Sequence, residues 1–422
     1  MTQIQVVVVD GKDCENFYHY SGLLLRIYDN MPIILFGILL SLFSCSVEQK
    51  EIRLEGAKYT IDLDGKNETS IPVSSIFKNV RTIILETNEE CLIGRIHEAQ
   101  IFDNYIYILD VFFAKSLFIF DIEGKFVRKI GSIGRGPGEY INVRDFTLDT
   151  ENRFIFLQDQ GTRIHRYHLD GTFSKSFAIE IPRFNNNYIQ YHNNRLYASV
   201  ISWKPSKDDY MLVEADPNSG KIISQSLPLK LNKAWAKPHF TGHSFFISRS
   251  SPPKFTNLFM DYIMSLSEAI TPYIELKSKN LVTSNDLKKL PDGQSLPDMI
   301  PSSFQKIWDI NSFVENNDFI IFKYRIGSSV FKTMVYHKET ELVKIVDYLN
   351  NDLIYRKNEE NQLGRVVFSD SKGAYEVLST NMLEKLKESI RRNEVVPDLD
   401  KKDELLELNE ESNPIIFFYE FK

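Results

Sequence analysis

Asp110, Asp159 and Asp370 each close a short apolar run (YIYILD, RFIFLQD and RVVFSD), and carboxylates recurring at such places could converge as oxygen ligands on a hard cation such as Ca²⁺. Cations crowd the same strand ends: Lys115, Arg163, Arg249 and Arg325, with Lys204 beside Trp203. Positive side chains next to carboxylates disfavour a metal. They favour solvated rim residues with local ion pairs, or a surface that meets a ligand. Trp203, Trp235 and Trp308 read as packing residues rather than a sugar platform, though Trp203 sits where a platform would be useful.

The sharpest motif is Ile130–Tyr140, IGSIGRGPGEY. Four glycines and a proline in eight residues rule out a strand and demand a tight loop with exposed backbone. Arg135 and Glu139 stand on this loop as candidate ligand contacts, the competing role being a pair that holds the turn. A phosphate-cradling loop needs a helix after it, and Ile141–Leu148 reads as a strand, so a P-loop is excluded. HExxH, GxSxG, CxxC and the dinucleotide fingerprint are all absent, and no cofactor is implied. His165 and His168 lie three apart on one strand, so they face opposite sides and cannot share a metal.

The elements that must position these residues repeat. Tyr105–Asp110, Arg153–Asp159, Arg195–Ser202, Ser244–Ser248, Asp318–Tyr324 and Arg365–Asp370 end at intervals of about 49, 43, 46, 76 and 46 residues. A period of roughly 40–50 residues carrying several short strands marks a β-propeller, one four-stranded blade per repeat. The expected fold is therefore all-β, with six four-stranded antiparallel blades. Within repeats the grammar recurs: SLFIFD, a turn at Glu123-Gly124, then FVRKI; later IHRYH, a turn at Asp170-Gly171, then FSKSF. Glycine at these hairpin turns takes φ > 0 without steric cost. Asp216–Gly220 fills the same place in repeat three, and in repeat four Thr256–Ser265 reads as the third strand, with Ala269–Tyr273 beyond it.

The long interval holds an insertion near Lys277–Gln305, where Ser284-Asn285-Asp286 reads as the N-cap of a short helix. Asn381–Arg392 reads as an amphipathic helix with Met382, Leu383, Leu386 and Ile390 on one side, and Asp398–Glu411 as solvated or weakly helical. The chain ends on a strand, Pro414–Lys422, that would leave an open sheet edge. Lys58–Leu63 and Val80–Glu86 have no blade of their own, so at least one is expected to pair with it and close the ring, the alternative being a separate N-terminal hairpin.

Met31–Val47 is uncharged and rich in Ile, Leu and Phe, too short for a comfortable membrane span and suited to a signal-peptide core. It ends in Leu42-Phe43-Ser44-Cys45-Ser46, which resembles a bacterial lipobox with Cys45 as the lipidated residue. Residues 1–30 make a poor positive leader, since Asp10, Asp13, Glu15 and Asp29 outnumber Lys12 and Arg26, so translation is expected to begin nearer Met31. The expected division is 1–44 extension and signal peptide, 45–56 lipidated tether, and 57–422 propeller. Cleavage before Cys45 leaves Cys91 alone, so no intrachain disulfide framework is possible, and Cys91 reads as a small buried side chain. The formal net charge of −7 argues against a nucleic-acid partner.

The Gly-rich loop, the preceding Phe120–Phe126 and the lipobox together resemble the six-bladed β-propeller lipoproteins of Bacteroidetes, a family related to NHL-repeat propellers, over about Glu51–Lys422. The terminal NPIIFFYEFK fits that family's closing strand. The resemblance implies fold and location more than chemistry. The expected protein is a monomeric, lipid-anchored envelope protein that binds a glycan, peptide or protein partner at the channel mouth. Candidate contacts there are Asp110, Lys115, Arg135, Glu139, Asp159, Arg163, Trp203, Arg249, Arg325 and Asp370. The alternative is a lactonase- or lyase-like propeller using a channel metal held by Asp110, Asp159 and Asp370.

Overall fold

Six blade sheets follow one another along the chain, beside a two-stranded pair of Ser132–Ile133 with Glu139–Tyr140. In each blade the strands from Glu98 onward pair in sequence order from the channel outward. The computed structural model describes residues 48–49, 52–181, 184–202, 206, 208–236, 244–249, 252–291, 300–301, 303–356, 361–378 and 380–422. Met31–Cys45, Trp203 and Lys204 lie outside them. The innermost strands are Glu98–Phe102, Asp145–Asp149, Phe184–His192, Ser244–Ser248, Ile307–Glu315 and Arg365–Ser369. Each touches the next, and the last touches the first, so the ring is closed.

Blade strands such as Tyr105–Asp110 are buried almost along their whole length, because each sheet is covered by a neighbouring blade on both faces. The apolar side chains accordingly gather into six clusters, one at each junction between blades. A seventh, around Phe259, Leu287 and Trp308, packs the insertion after blade four against the ring. The turns of the blades are fitted to their neighbours. Gly124 has φ +93°, and a Cβ there would lie 2.2 Å from the Ile84 carbonyl oxygen of the sixth blade. Gly220 repeats the arrangement against the Ala178 oxygen, also 2.2 Å away. The glycines are therefore required by close approach as well as by φ.

Closure is made by the two chain ends. Ile415–Phe421 is the third strand of blade six, and Phe77–Ile84 pairs with it antiparallel as the fourth. The remainder of the N-terminal segment does something the sequence reading did not anticipate. Glu48–Gln49, Tyr59–Asp62 and Asn67–Pro72 add a parallel fifth strand to blades three, four and five in turn. The segment thus runs along the outer edges of blades three, four and five before closing blade six, covering edges that would otherwise offer unpaired backbone.

Several assignments are corrected. Ser244–Ser248 and Arg365–Ser369 are first strands, whereas the other four runs aligned with them are second strands. Their strong apolar character hid the offset. Blade four has Lys254–Asn257, Tyr262–Leu266 and Ile270–Lys277 in place of the proposed third strand over 256–265. The insertion helix is Ser284–Lys288, capped by Thr283 in a capping box with Asp286, not by Ser284. The later helix spans Thr380–Arg391, with Leu383, Leu386 and Ile390 buried and Met382 40% exposed. Lys402–Glu407 forms a further short helix that buries Leu405. Among the described residues no helix is long and apolar enough to cross a membrane.

Candidate functional site

The strand offset separates the three aspartates. Asp110 and Asp159 end or follow second strands and take one structural job. The Asp110 carboxylate accepts the backbone N–H groups of Gly94, Arg95, Phe112, Phe113 and Ala114 at 2.9–3.3 Å. Asp159 accepts those of Ile141 and Asn142 at 3.0 and 2.7 Å. In both blades a buried carboxylate ties the approach to the first strand onto the end of the second. Asp370 lies instead in the turn from a first strand to a second, where it accepts the N–H groups of Lys372 and Gly373. Among the described residues no three Asp, Glu, His or Cys side chains are grouped to hold a metal ion. The metal-assisted alternative therefore loses the ligand set on which it was built.

Glu139 turns back into its own loop, its carboxylate accepting the Gly136 N–H at 2.7 Å, while Arg135 is exposed and makes no ion pair with a described residue. Lys115 lines a cavity of about 300 Å³ with His97, Phe112, Asn142, Arg144 and Tyr188. Arg163 is exposed on the first residue of its strand. Trp308 is a packing residue, stacked on Phe259 and donating its indole N–H to the Gly327 oxygen at 2.7 Å. Cys91 is fully buried, which pushes its thiol up and makes it unreactive.

One constellation outside the candidates looks nucleophilic. The Ser176 hydroxyl lies 2.7 Å from His165 Nδ1, and His165 Nε2 lies 3.4 Å from Asp159. Ser176 stands on the outermost strand of blade two, however, and lines neither cavity. Burial holds the imidazole below its ordinary range, and Asp159 is occupied by backbone amides. The relay fixes the strand pair.

Arg249 sits just after the first strand of blade four and reaches across the ring. Its Nε donates to Glu98 at 3.0 Å, one terminal nitrogen to both Asp145 oxygens at 2.7 and 2.8 Å, and the other to the Phe146 and Ile189 carbonyls at 3.2 and 2.7 Å. Only 5% of its side chain is exposed. Its donors are spent on blades one, two and three, so Arg249 locks the channel. Burial pushes the Glu98 carboxyl up to about 7, with Arg249 opposing the shift.

Beside this lock opens a cavity of about 1240 Å³. It runs from the channel into the junction of blades five and six, beneath the Thr380–Arg391 helix. Six lining side chains are cationic (Arg95, Arg249, Lys323, Arg325, Arg365 and Lys385) against Glu98, Asp347 and Glu376. Arg365 donates to the Ile96 and His97 carbonyls at 3.1 and 2.6 Å. Lys323 donates to the Leu363 and Gly364 carbonyls at 3.0 and 3.1 Å, and burial lowers the affinity of its amine for a proton. Glu376, pushed up by burial, accepts the Tyr419 hydroxyl at 2.6 Å, and Asn351 donates to that hydroxyl at 2.7 Å. Arg325 points to the same space from the second strand of blade five.

The cavity thus collects Arg249 and Arg325 of the sequence candidates and adds Lys323, Asn351, Arg365 and Glu376, which sequence reasoning missed. A Lys inside FIIFKYRI and a Glu inside GAYEVL were the available signals, since a charge within an otherwise apolar strand needs a reason to be buried.

A family described as "Domain of unknown function (DUF4934)" matches residues 58–420. No curated protein matches the chain. Among solved structures, the chain resembles a candidate exported protein of Bacteroides fragilis at 20% identity and a TM-score of 0.65, over 86% of this chain and 99% of that one. It also resembles a member of the DUF4221 family from Bacteroides vulgatus at 13% identity and a TM-score of 0.50, over 82% and 97%. At such identities the likeness concerns the fold.

Proposed function

The chain belongs to the DUF4934 family, and from that premise we propose that it is a cell-envelope binding protein whose inter-blade cavity takes an anionic ligand. The observation that carries this reading is an inversion of charge. A chain of formal net charge −7 places twice as many cations as acids around this cavity of about 1240 Å³. Low-dielectric walls focus such a field and favour a negative guest. The buried, hydrogen-bonded cations around it suit binding.

The location rests on Leu42–Ser46, which fits a lipidation site at Cys45, and on the fold it shares with a candidate exported protein. Cys45→Ala is expected to move the protein from the membrane to the soluble fraction of the producing cell; unchanged membrane association removes the lipid anchor from the proposal. Ligand binding is tested by thermal shift against a panel of carboxylated, phosphorylated and uncharged compounds. A ligand at a hundred times its Kd stabilises by about 2.7 kcal/mol, enough to raise Tm measurably. Anions are expected to raise Tm, and Lys385→Glu, on the exposed side of its helix, to diminish the rise. A response to uncharged compounds alone, or one indifferent to Lys385→Glu, overturns the anionic reading.

A further inference from the structure

The cations around the cavity are not equivalent. Arg249, Arg365 and Lys323 already donate to carboxylates or carbonyls within the protein. Arg325 does not. Its guanidinium lies 5.0 Å from the Trp308 ring and 4.5 Å from the Phe331 ring. Its one ionic neighbour among the described residues, Asp309, is 3.7 Å from Nε, beyond hydrogen-bond reach, and Nε is buried without a hydrogen-bond partner. Aromatic contacts occupy the face of a guanidinium and leave its N–H edge, the geometry that meets a carboxylate through two parallel hydrogen bonds.

A second unsatisfied group faces the same cavity. Asn351 is 2% exposed; its amide N–H binds the Tyr419 hydroxyl, while its oxygen has no hydrogen-bond partner. A buried acceptor left unpaired carries a desolvation penalty, which an incoming donor recovers. A carboxylate has no proton to give, so the group that answers Asn351 is a hydroxyl or amide N–H. Around these two groups the walls alternate aromatic faces, including Phe331 at 43% exposure and Tyr348, with small neutral donors and acceptors such as Thr333.

From this juxtaposition we infer that the ligand is a carboxylated oligosaccharide, with Arg325 binding its carboxylate and Asn351 accepting from a hydroxyl. The inference rests on the binding reading above and specifies its chemistry. Sugar rings present both the apolar faces that aromatic walls contact and the hydroxyls that buried amides require. The cavity also exceeds the roughly 300–1,000 Å³ of ordinary small-molecule sites, which suits a ligand several units long. An acidic peptide is the less suitable guest. Peptides bound in grooves lean on free backbone groups of their host, and Lys323 already occupies the Leu363 and Gly364 carbonyls here.

The test is titration calorimetry of the full chain with uronic-acid oligosaccharides of four to six units, spanning the common epimers. Their methyl esters and hexaglutamate serve as comparisons. At least one acid should bind, its ester at least tenfold more weakly. Arg325→Gln should cost the acid a similar factor while leaving the ester unchanged, and Arg325→Lys should restore only part of the loss. Comparing acid with ester on the unmodified chain needs no variant, so the conclusion survives a misfolded Arg325→Gln. Equal binding of acid and ester overturns the carboxylate clamp. Hexaglutamate binding while no saccharide binds overturns the saccharide class but sustains an anionic guest. Failure of every uronate overturns this inference, and the anion panel above then decides whether the binding reading falls with it.

Discussion

A chain ending at Ser412 is expected to lose the cooperative fold of the whole ring rather than to fray at one end. The strand it lacks, Ile415–Phe421, is an interior strand of blade six, paired with Gly373–Leu378 on one side and Phe77–Ile84 on the other. Without it the N-terminal strand has no sheet to join. Ile415, Ile416, Phe417, Tyr419 and Phe421 are all buried, and they contribute to the clusters on both faces of the blade. At about 2 kcal/mol for each buried side chain the loss is on the order of 10 kcal/mol. That is comparable to the entire stability of an ordinary domain. Thermal denaturation by circular dichroism decides the matter. A truncated chain that melts cooperatively at the full-length temperature contradicts closure by these two strands.

Closure of this kind was legible because Pro414–Lys422 alternates apolar residues without a break and could not be left as an edge. The repeat period was legible for the same reason: stacked blades bury both faces, so each leaves an apolar run such as YIYILD or FIIFKY. Such a run does not say which strand of the blade it is, and SFFIS and RVVFSD were consequently placed one strand too far out. The slip displaced Arg249 and Asp370 to the wrong turns, and with them the expected rim. The parallel strap over blades three to five was invisible because Asn67–Pro72, NETSIP, is polar and carries no alternating pattern. It joins its blade mainly by backbone pairing, with only Ile71 buried in the core and Asn67 donating to Asp347. The cavity was hidden for a different reason. Lys323, Asn351, Arg365 and Glu376 come from separate strands and a loop, and no spacing in the sequence reports which side chains face one another across a blade junction.

Arg249→Met is expected to destabilise the protein by about 3–5 kcal/mol, the usual consequence of removing one partner from a buried ion pair. The variant leaves Asp145, 1% exposed, and Glu98 facing each other without the cation that both contact. Its effect should also grow with pH. The Glu98 carboxyl titrates near 7 in the folded protein against an ordinary 4.5, so the folded state binds the proton more tightly than the unfolded chain does. Glu98 therefore favours folding below about pH 4.5, and that contribution is lost as pH rises through 7. In the parent protein Arg249 limits the loss by attracting the ionised form. Once Arg249 is gone the folded-state carboxyl is pushed higher still, and the penalty extends further toward alkaline pH. Urea denaturation at pH 5 and pH 8 should show the larger deficit at pH 8. Glu98→Gln, added to Arg249→Met, should remove most of that difference. Equal deficits at the two pH values would show that Arg249 acts only through packing and its carbonyl contacts. A pH-dependent deficit makes it the charge that allows two acids to be buried beside the cavity, holding four blades in register where a ligand would press against them.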